Sequence, residues 1–114
     1  MKSFDYDQAM QVTDSDLELF GELIEIFDGQ QKQNIEDLEL AISSGDFARF
    51  ELVAHALKGA LSNLGALASA EMAHILEGLG RGKDLQRAQS LVQELVAEIG
   101  RFRAEVEQVT AGGQ

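Results

Sequence analysis

The chain has 114 residues with no cysteine and no proline, which suits a single domain and excludes disulfides and thiolate metal sites. Its formal net charge of −11 predicts repulsion from nucleic acids and from anionic membranes, so we expect proteins or cations as partners. No apolar run approaches the about 18 residues of a membrane span, and "MKSFDYDQ" has no apolar signal core, so we expect a cytoplasmic protein.

The N-terminal part of the chain predicts two helices. A short helix covers about Tyr6–Val12, and "TDSD" then offers N-cap residues for a long helix, with Asp16 and Glu18 suited to its first turn. Apolar residues recur at steps of three or four along this second helix as far as Ile42. Gly45 reads as its C-terminal stop.

Two further helices follow from the same signals. Asp46 is the expected N-cap of a helix over about Phe47–Leu64, which Gly65 ends. The next helix covers roughly Leu67–Leu79 and is closed by "GRG". Short turns between them place these two helices side by side.

The last helix has the clearest periodic stripe, and Asp84 is its expected N-cap. The stripe consists of Leu85, Ala88, Val92, Leu95, Ile99, Phe102, Val106 and Val109. No stretch alternates like a strand. We therefore predict an all-α fold, an antiparallel up-down-up-down four-helix bundle with a short additional N-terminal helix. Residues 1–114 form one domain, with a core over 5–109 and a frayed tail over 110–114.

His55 is expected on the outer face of its helix. At about 100° per residue, the apolar stripe lies roughly opposite the histidine. The stripe consists of Phe50, Val53, Leu57, Leu61 and Leu64. Lys58, Gly59 and Ser62 fall within about 60° of His55 on the same outer face.

The neighbours of His55 suggest a docking surface. Glycine inside an exposed helix costs about 0.5–1 kcal/mol relative to alanine, so Gly59 needs another reason. A missing side chain lets another molecule approach the imidazole. Ala48 is small and Leu52 is apolar near the same face, and with Gly59 and Ser62 they form the predicted docking surface.

His55 and Lys58 together resemble a phosphate acceptor, with a nucleophilic imidazole and a cation one turn along. The surrounding "HALKGALSNLGA" resembles the signature of the histidine phosphotransfer (HPt) domains of bacterial two-component phosphorelays. The matching residues are His55, Leu57, Lys58, Gly59, Ala60, Leu64, Gly65 and Ala66. The likeness extends to "FDYDQAM", "SGDF" and "ILEGLGRGKD", and so covers nearly the whole chain.

The resemblance implies a phosphoryl carrier. His55 would accept a phosphoryl group from a receiver-domain aspartate or a kinase and pass it on, with Lys58 neutralising phosphoryl charge. Family position assigns Glu77 a contact with the other ring nitrogen, although the helical wheel puts Glu77 on the polar side. The implied partners are response-regulator receiver domains and a sensor histidine kinase of the hybrid type. Leu61 departs from the smaller residue of many members, and its buried position predicts an effect on packing alone.

No feature of the sequence indicates a cofactor of its own. "GLGRG" lacks the Lys-Ser/Thr of a nucleotide-binding loop, which argues against ATP-dependent kinase activity, and no repeated His-Glu spacing indicates a metal site. Any Mg²⁺ would belong to the partner receiver domain. His74 has no Lys-Gly companion and is interpreted as a surface residue.

Two alternatives stay open beside phosphotransfer. The domain could dock receivers or kinases as an adaptor without transferring phosphate, although such an adaptor would not need His55. It could also be the phospho-accepting domain of a larger histidine kinase, which is built in the same way. The starting methionine favours a free-standing protein, and an accidental motif on a plain bundle is the remaining reading.

Overall fold

Five helices make up the computed structural model, which describes residues 1–112. They are α1 (Tyr6–Val12), α2 (Leu17–Ser44), α3 (Phe47–Asn63), α4 (Leu67–Arg81) and α5 (Ala88–Gly112). No strand occurs within the described residues, which confirms the all-α prediction. Neighbouring helices pack in the ring α2–α3–α4–α5 with α5 closing against α2, and α1 lies across α2 and α3.

Aspartate side chains cap the N-termini of the first three helices. The carboxylates of Asp5, Asp16 and Asp46 each accept a hydrogen bond from the backbone N–H three residues ahead. Gly45 ends α2 in the left-handed conformation, with φ of 70°, which a residue without Cβ adopts at little cost. The capping chemistry therefore fixes the α2–α3 turn locally.

The connection between α4 and α5 differs from the sequence-based prediction. α4 ends at Arg81, inside the expected "GRG" stop and with Gly82 as its C-cap, and α5 begins at Ala88 rather than after Asp84. The N–H of Asp84 donates to the carbonyl of Leu79 at 2.8 Å, so this residue closes the end of α4 instead of capping α5. Leu85 is nevertheless buried, which anchors the connection to the core.

α5 also extends beyond the boundary predicted for the core. The helix runs to Gly112, through much of the expected tail 110–114, and residues 113–114 lie outside the described part of the chain. At the other end the buried cluster begins at Phe4, one residue before the predicted boundary. The largest fully buried side chains are Phe20, Phe50, Phe102, Leu38, Leu57, Leu61, Leu76 and Leu95.

The N-terminal segment fixes the α3–α4 turn. The N–H of Asp5 donates to the Gly65 carbonyl at 2.7 Å, and the N–H of Ala68 donates to the Lys2 carbonyl at 2.9 Å. Phe4 stacks on Phe20, with ring centroids 5.7 Å apart, and so anchors the segment in the core. Hydrogen bonds to the N-terminal segment therefore hold the α3–α4 turn at Gly65 and the start of α4 at Ala68.

Gly65 is the position where this arrangement depends on a missing side chain. Its φ is 76°, and a Cβ there would lie 2.5 Å from the Asp5 carbonyl oxygen. We predict that Gly65→Ala lowers the free energy of unfolding by about 2 kcal/mol or more. Alanine is strained in the left-handed conformation, and its Cβ would displace the N-terminal segment at Asp5. Gly29→Ala is the matched control, because nothing lies within 4 Å of its Cβ position in the middle of α2. Gly29→Ala should raise the free energy of unfolding, measured in urea, by up to about 1 kcal/mol. Equal effects of the two substitutions would contradict the close contact assigned between Gly65 and Asp5.

Candidate functional site

The site lies on the seam between α3 and α4, where the two helices approach closely. A Cβ on Gly80 would stand 2.9 Å from Cδ1 of Phe50 and 3.1 Å from the backbone nitrogen of Glu51. Ala73, Glu77 and Gly80 recur at helical spacing, and all three are buried. The small residues of this stripe therefore bring the two backbones together around the carboxylate.

Glu77 bridges His55 and Lys58 across the seam. Its Oε2 lies 2.6 Å from Nδ1 of His55, and its Oε1 accepts from Nζ of Lys58 at 2.7 Å. The Glu77 side chain is 7% exposed, whereas that of His55 is 64% exposed. The imidazole thus faces outward with one nitrogen held by a buried carboxylate.

Two more basic groups surround the same carboxylate. Nδ1 of His74 lies 3.7 Å from Oε1, and a terminal nitrogen of Arg81 lies 3.7 Å from Oε2. Arg81 also donates to Oε2 of Glu51 at 3.0 Å, which ties this arginine to α3. Each oxygen of Glu77 therefore has one short partner and one more distant basic neighbour.

The surroundings of Glu77 keep it ionised. The hydrogen bond from Lys58, with a smaller contribution from His55, lowers the pKa of Glu77 from its ordinary value of 4.5 to about 2. Burial acts in the opposite direction, because it disfavours the charged carboxylate. An ionised carboxylate only accepts hydrogen bonds, so the Nδ1 of His55 carries the proton that joins them.

The wheel prediction for Glu77 is wrong about its burial. The wheel placed Glu77 on the polar side of α4, whereas α3 covers it. The stripe of Ala73, Glu77 and Gly80 is the signal that could have located it, since small residues at this spacing indicate close helix packing. Lys58 differs in the same way, because it is half-buried and bound to this carboxylate rather than free on the outer face.

The predicted docking residues do not all share one environment. Ala48, Leu52 and Gly59 are exposed, and nothing lies within 4 Å of a Cβ built on Gly59. Ser62 is partly covered, and its carbonyl accepts from Nε2 of Gln8 at 2.9 Å, so α1 borders the site here. Their role in docking stays a prediction.

Metal-binding clusters and membrane-spanning helices are both absent from the described residues. Residues 1–112 contain no group of three or more His, Asp or Glu side chains arranged to hold a metal ion. No helix in this range is long and apolar enough to cross a membrane.

A helical bundle that presents an outward histidine above a buried glutamate defines the class of histidine phosphotransfer domains. The family model of the Hpt domain matches residues 22–111, and this chain belongs to that family. Among solved structures, it is similar to histidine-containing phosphotransfer protein B (HptB) from Pseudomonas aeruginosa PAO1. The TM-score is 0.84 at 25% identity, over 93% of this chain and 92% of the other. A search of curated proteins gave no significant match.

The pKa of Glu77 predicts a specific pH dependence of stability. Because the folded-state pKa lies below the ordinary value, ionised Glu77 stabilises the fold above pH 4.5, and this contribution is lost as the pH falls toward about 2. Glu77→Gln removes the titrating group. We expect the difference in unfolding free energy between parent and variant to shrink as the pH falls from about 4.5 toward 2 in urea titrations. A difference that is the same at pH 3 and pH 7 would contradict the assigned ion pairing.

Proposed function

We propose that His55 is the phosphoryl acceptor and that this chain relays the group between receiver-domain aspartates. Phosphotransfer in phosphorelays is the role of the family to which it belongs. The observation that carries the assignment is the 2.6 Å contact between Nδ1 of His55 and Oε2 of Glu77. With the proton on Nδ1, Nε2 keeps its lone pair on the exposed side of the ring.

The proposed step is an in-line displacement. Nε2 of His55 attacks the phosphorus of an aspartyl phosphate, the N–P bond forms as the P–O bond to the aspartate breaks, and the aspartate leaves as a carboxylate. No proton has to be removed, because Nε2 attacks with its lone pair and Nδ1 keeps its hydrogen. The ring thereby gains positive charge, which ionised Glu77 stabilises across the 2.6 Å hydrogen bond. The reverse step returns the phosphoryl group to a receiver.

Lys58 has two tasks in this proposal. Its ammonium donates to Glu77 at 2.7 Å, which keeps the carboxylate ionised and in place. An ammonium has three donors, so its other N–H groups can turn toward phosphoryl oxygens on His55. The Mg²⁺ that neutralises the transferring group is assigned to the partner receiver domain, and the source of phosphate to a receiver or a hybrid sensor kinase.

The proposed receiver-docking surface consists of Ala48, Leu52 and Gly59 around His55. Leu52 is 62% exposed, and the helix is open above Gly59. An apolar contact next to a gap in the side chains lets the partner bring its aspartate to the ring. Ser62 lies at the edge of this surface, toward α1.

The acceptor is tested with a panel of phosphorylated receiver domains. The parent protein should gain acid-labile, base-stable phosphate from at least one of them. His55→Gln should remain folded, since the exposed ring has no packing role, and should gain none. His74→Gln is the matched control, because it removes the other histidine of the chain. Label on His55→Gln, or loss of label from His74→Gln alone, would overturn the assignment.

Gly59 tests the docking surface separately from the chemistry. Gly59→Gln fills open space on an exposed helix, so the melting temperature should stay the same or rise while receiver binding and phosphotransfer weaken at least severalfold. Gly100→Gln is the control, since Gly100 is equally open but lies on α5, which does not contact α3.

The control should also keep or raise the melting temperature, but it should transfer at the parental rate. A Gly59→Gln protein that melts lower than the parent, or one that transfers as fast, would count against the docking surface. Melting temperature and transfer rate are measured on the same preparations.

A further inference from the structure

His74 lies beside the same carboxylate that holds His55. Its Nδ1 is 3.7 Å from Oε1 of Glu77, the oxygen that also accepts from Lys58, whereas His55 contacts Oε2. The side chain of His74 is 61% exposed, so it can exchange protons with solvent. The two histidines of the chain therefore share one buried acid.

The charges around this acid come from two helices. The charged or titratable groups of the cluster are His55, Lys58 and Glu51 on α3 and His74, Glu77 and Arg81 on α4. No basic side chain of the described part of α5, which also packs against α4, lies within 4 Å of the Glu77 carboxylate.

We propose that His74 is a positioning residue for phosphotransfer, whose protonated form favours the phosphorylated state of His55. This rests on His55 being the acceptor. A charged His74 competes with Lys58 for Oε1 of Glu77 and releases the ammonium toward the phosphoryl oxygens. It also adds one positive charge to the cluster around Glu77, while phosphorylation adds about one net negative charge to His55, since the phosphoryl group is dianionic and the ring becomes positive.

The linkage between the two histidines is reciprocal. If protonation of His74 favours phosphorylation by some factor, phosphorylation favours protonation of His74 by the same factor. Imidazoles change charge between pH 5 and 8, so the effect falls in the range where transfer is measured. Because His74 is exposed, screening limits the expected change to about two- to fivefold.

Two substitutions fix the charge at this position. His74→Gln is neutral at every pH, and His74→Lys is positive. The parent and each variant are mixed with a receiver domain that phosphorylates the parent in the panel described above. The equilibrium distribution of phosphate between the receiver and this chain is then measured at pH 6 and pH 8. The phosphate distribution of the parent should move from that of His74→Lys toward that of His74→Gln as the pH rises from 6 to 8. The contribution of the receiver is common to all three proteins and cancels in the ratios.

A second measurement needs no phosphate. In the unphosphorylated parent and in His74→Gln, the ring protons of His55 are followed by NMR as the pH is varied, and the two curves should differ because His74 shares the Glu77 carboxylate with His55. A merely structural role of His74 would leave the His55 curve unchanged.

The outcomes separate this proposal from the proposed function. Identical phosphate distributions for the three proteins at both pH values would overturn the role of His74 while His55 remained the acceptor. An identical His55 titration curve in parent and His74→Gln would overturn the coupling itself. Absence of phosphate from all three proteins, with a curve that still depends on His74, would instead overturn the proposed function and support the coupling.

Discussion

The buried carboxylate of Glu77 is the interaction on which the site depends. A charge removed from water is unfavourable unless it is paired and hydrogen-bonded, and here His55 and Lys58 supply the pairing from the neighbouring helix. The same contacts join α3 to α4 and fix the orientation of the imidazole. Under the proposed function, the stability of the seam and the reactivity of the ring therefore have one physical origin.

This pairing requires that the helices approach closely and in one register. Gly80 supplies the closeness, because a side chain there would meet the backbone of Glu51. The α3–α4 turn sets the register of the two helices, and the N–H of Asp5 holds that turn by donating to the carbonyl of Gly65. Gly80 and the α3–α4 turn therefore decide whether Glu77, which follows His55 by 22 residues in the chain, lies opposite the imidazole.

The site also differs in charge from the rest of the molecule. The chain carries −11 overall, which would repel a phosphorylated partner, yet Lys58, Arg81 and the two histidines gather around one carboxylate. Over the distances of docking, salt screens the general charge, whereas groups within a few ångströms of the phosphoryl group act with little screening. At neutral pH, Lys58 and Arg81 balance the carboxylates of Glu77 and Glu51, so this cluster is neutral on an otherwise acidic protein. Under the proposed function it would therefore repel a phosphoryl group less than the rest of the surface does.

The sequence by itself determined the helices that local chemistry controls. Asp16, Asp46 and Gly45 cap their helices through bonds within a few residues, and the outward position of His55 follows from the periodicity of its own helix. The family likeness, carried by a contiguous motif, was confirmed by the comparisons. These features need no knowledge of what the helix packs against.

Only the tertiary structure decided the features that depend on a second helix or on a turn. Asp84 has the side chain of a cap, but its backbone closes α4 instead. Lys58 was expected on the open face and is half-buried against an acid from α4. Glu77 is polar, and a wheel drawn for one helix assigns it to solvent. Its burial arises because small residues around it let α3 approach and because α3 brings the basic groups that offset its desolvation.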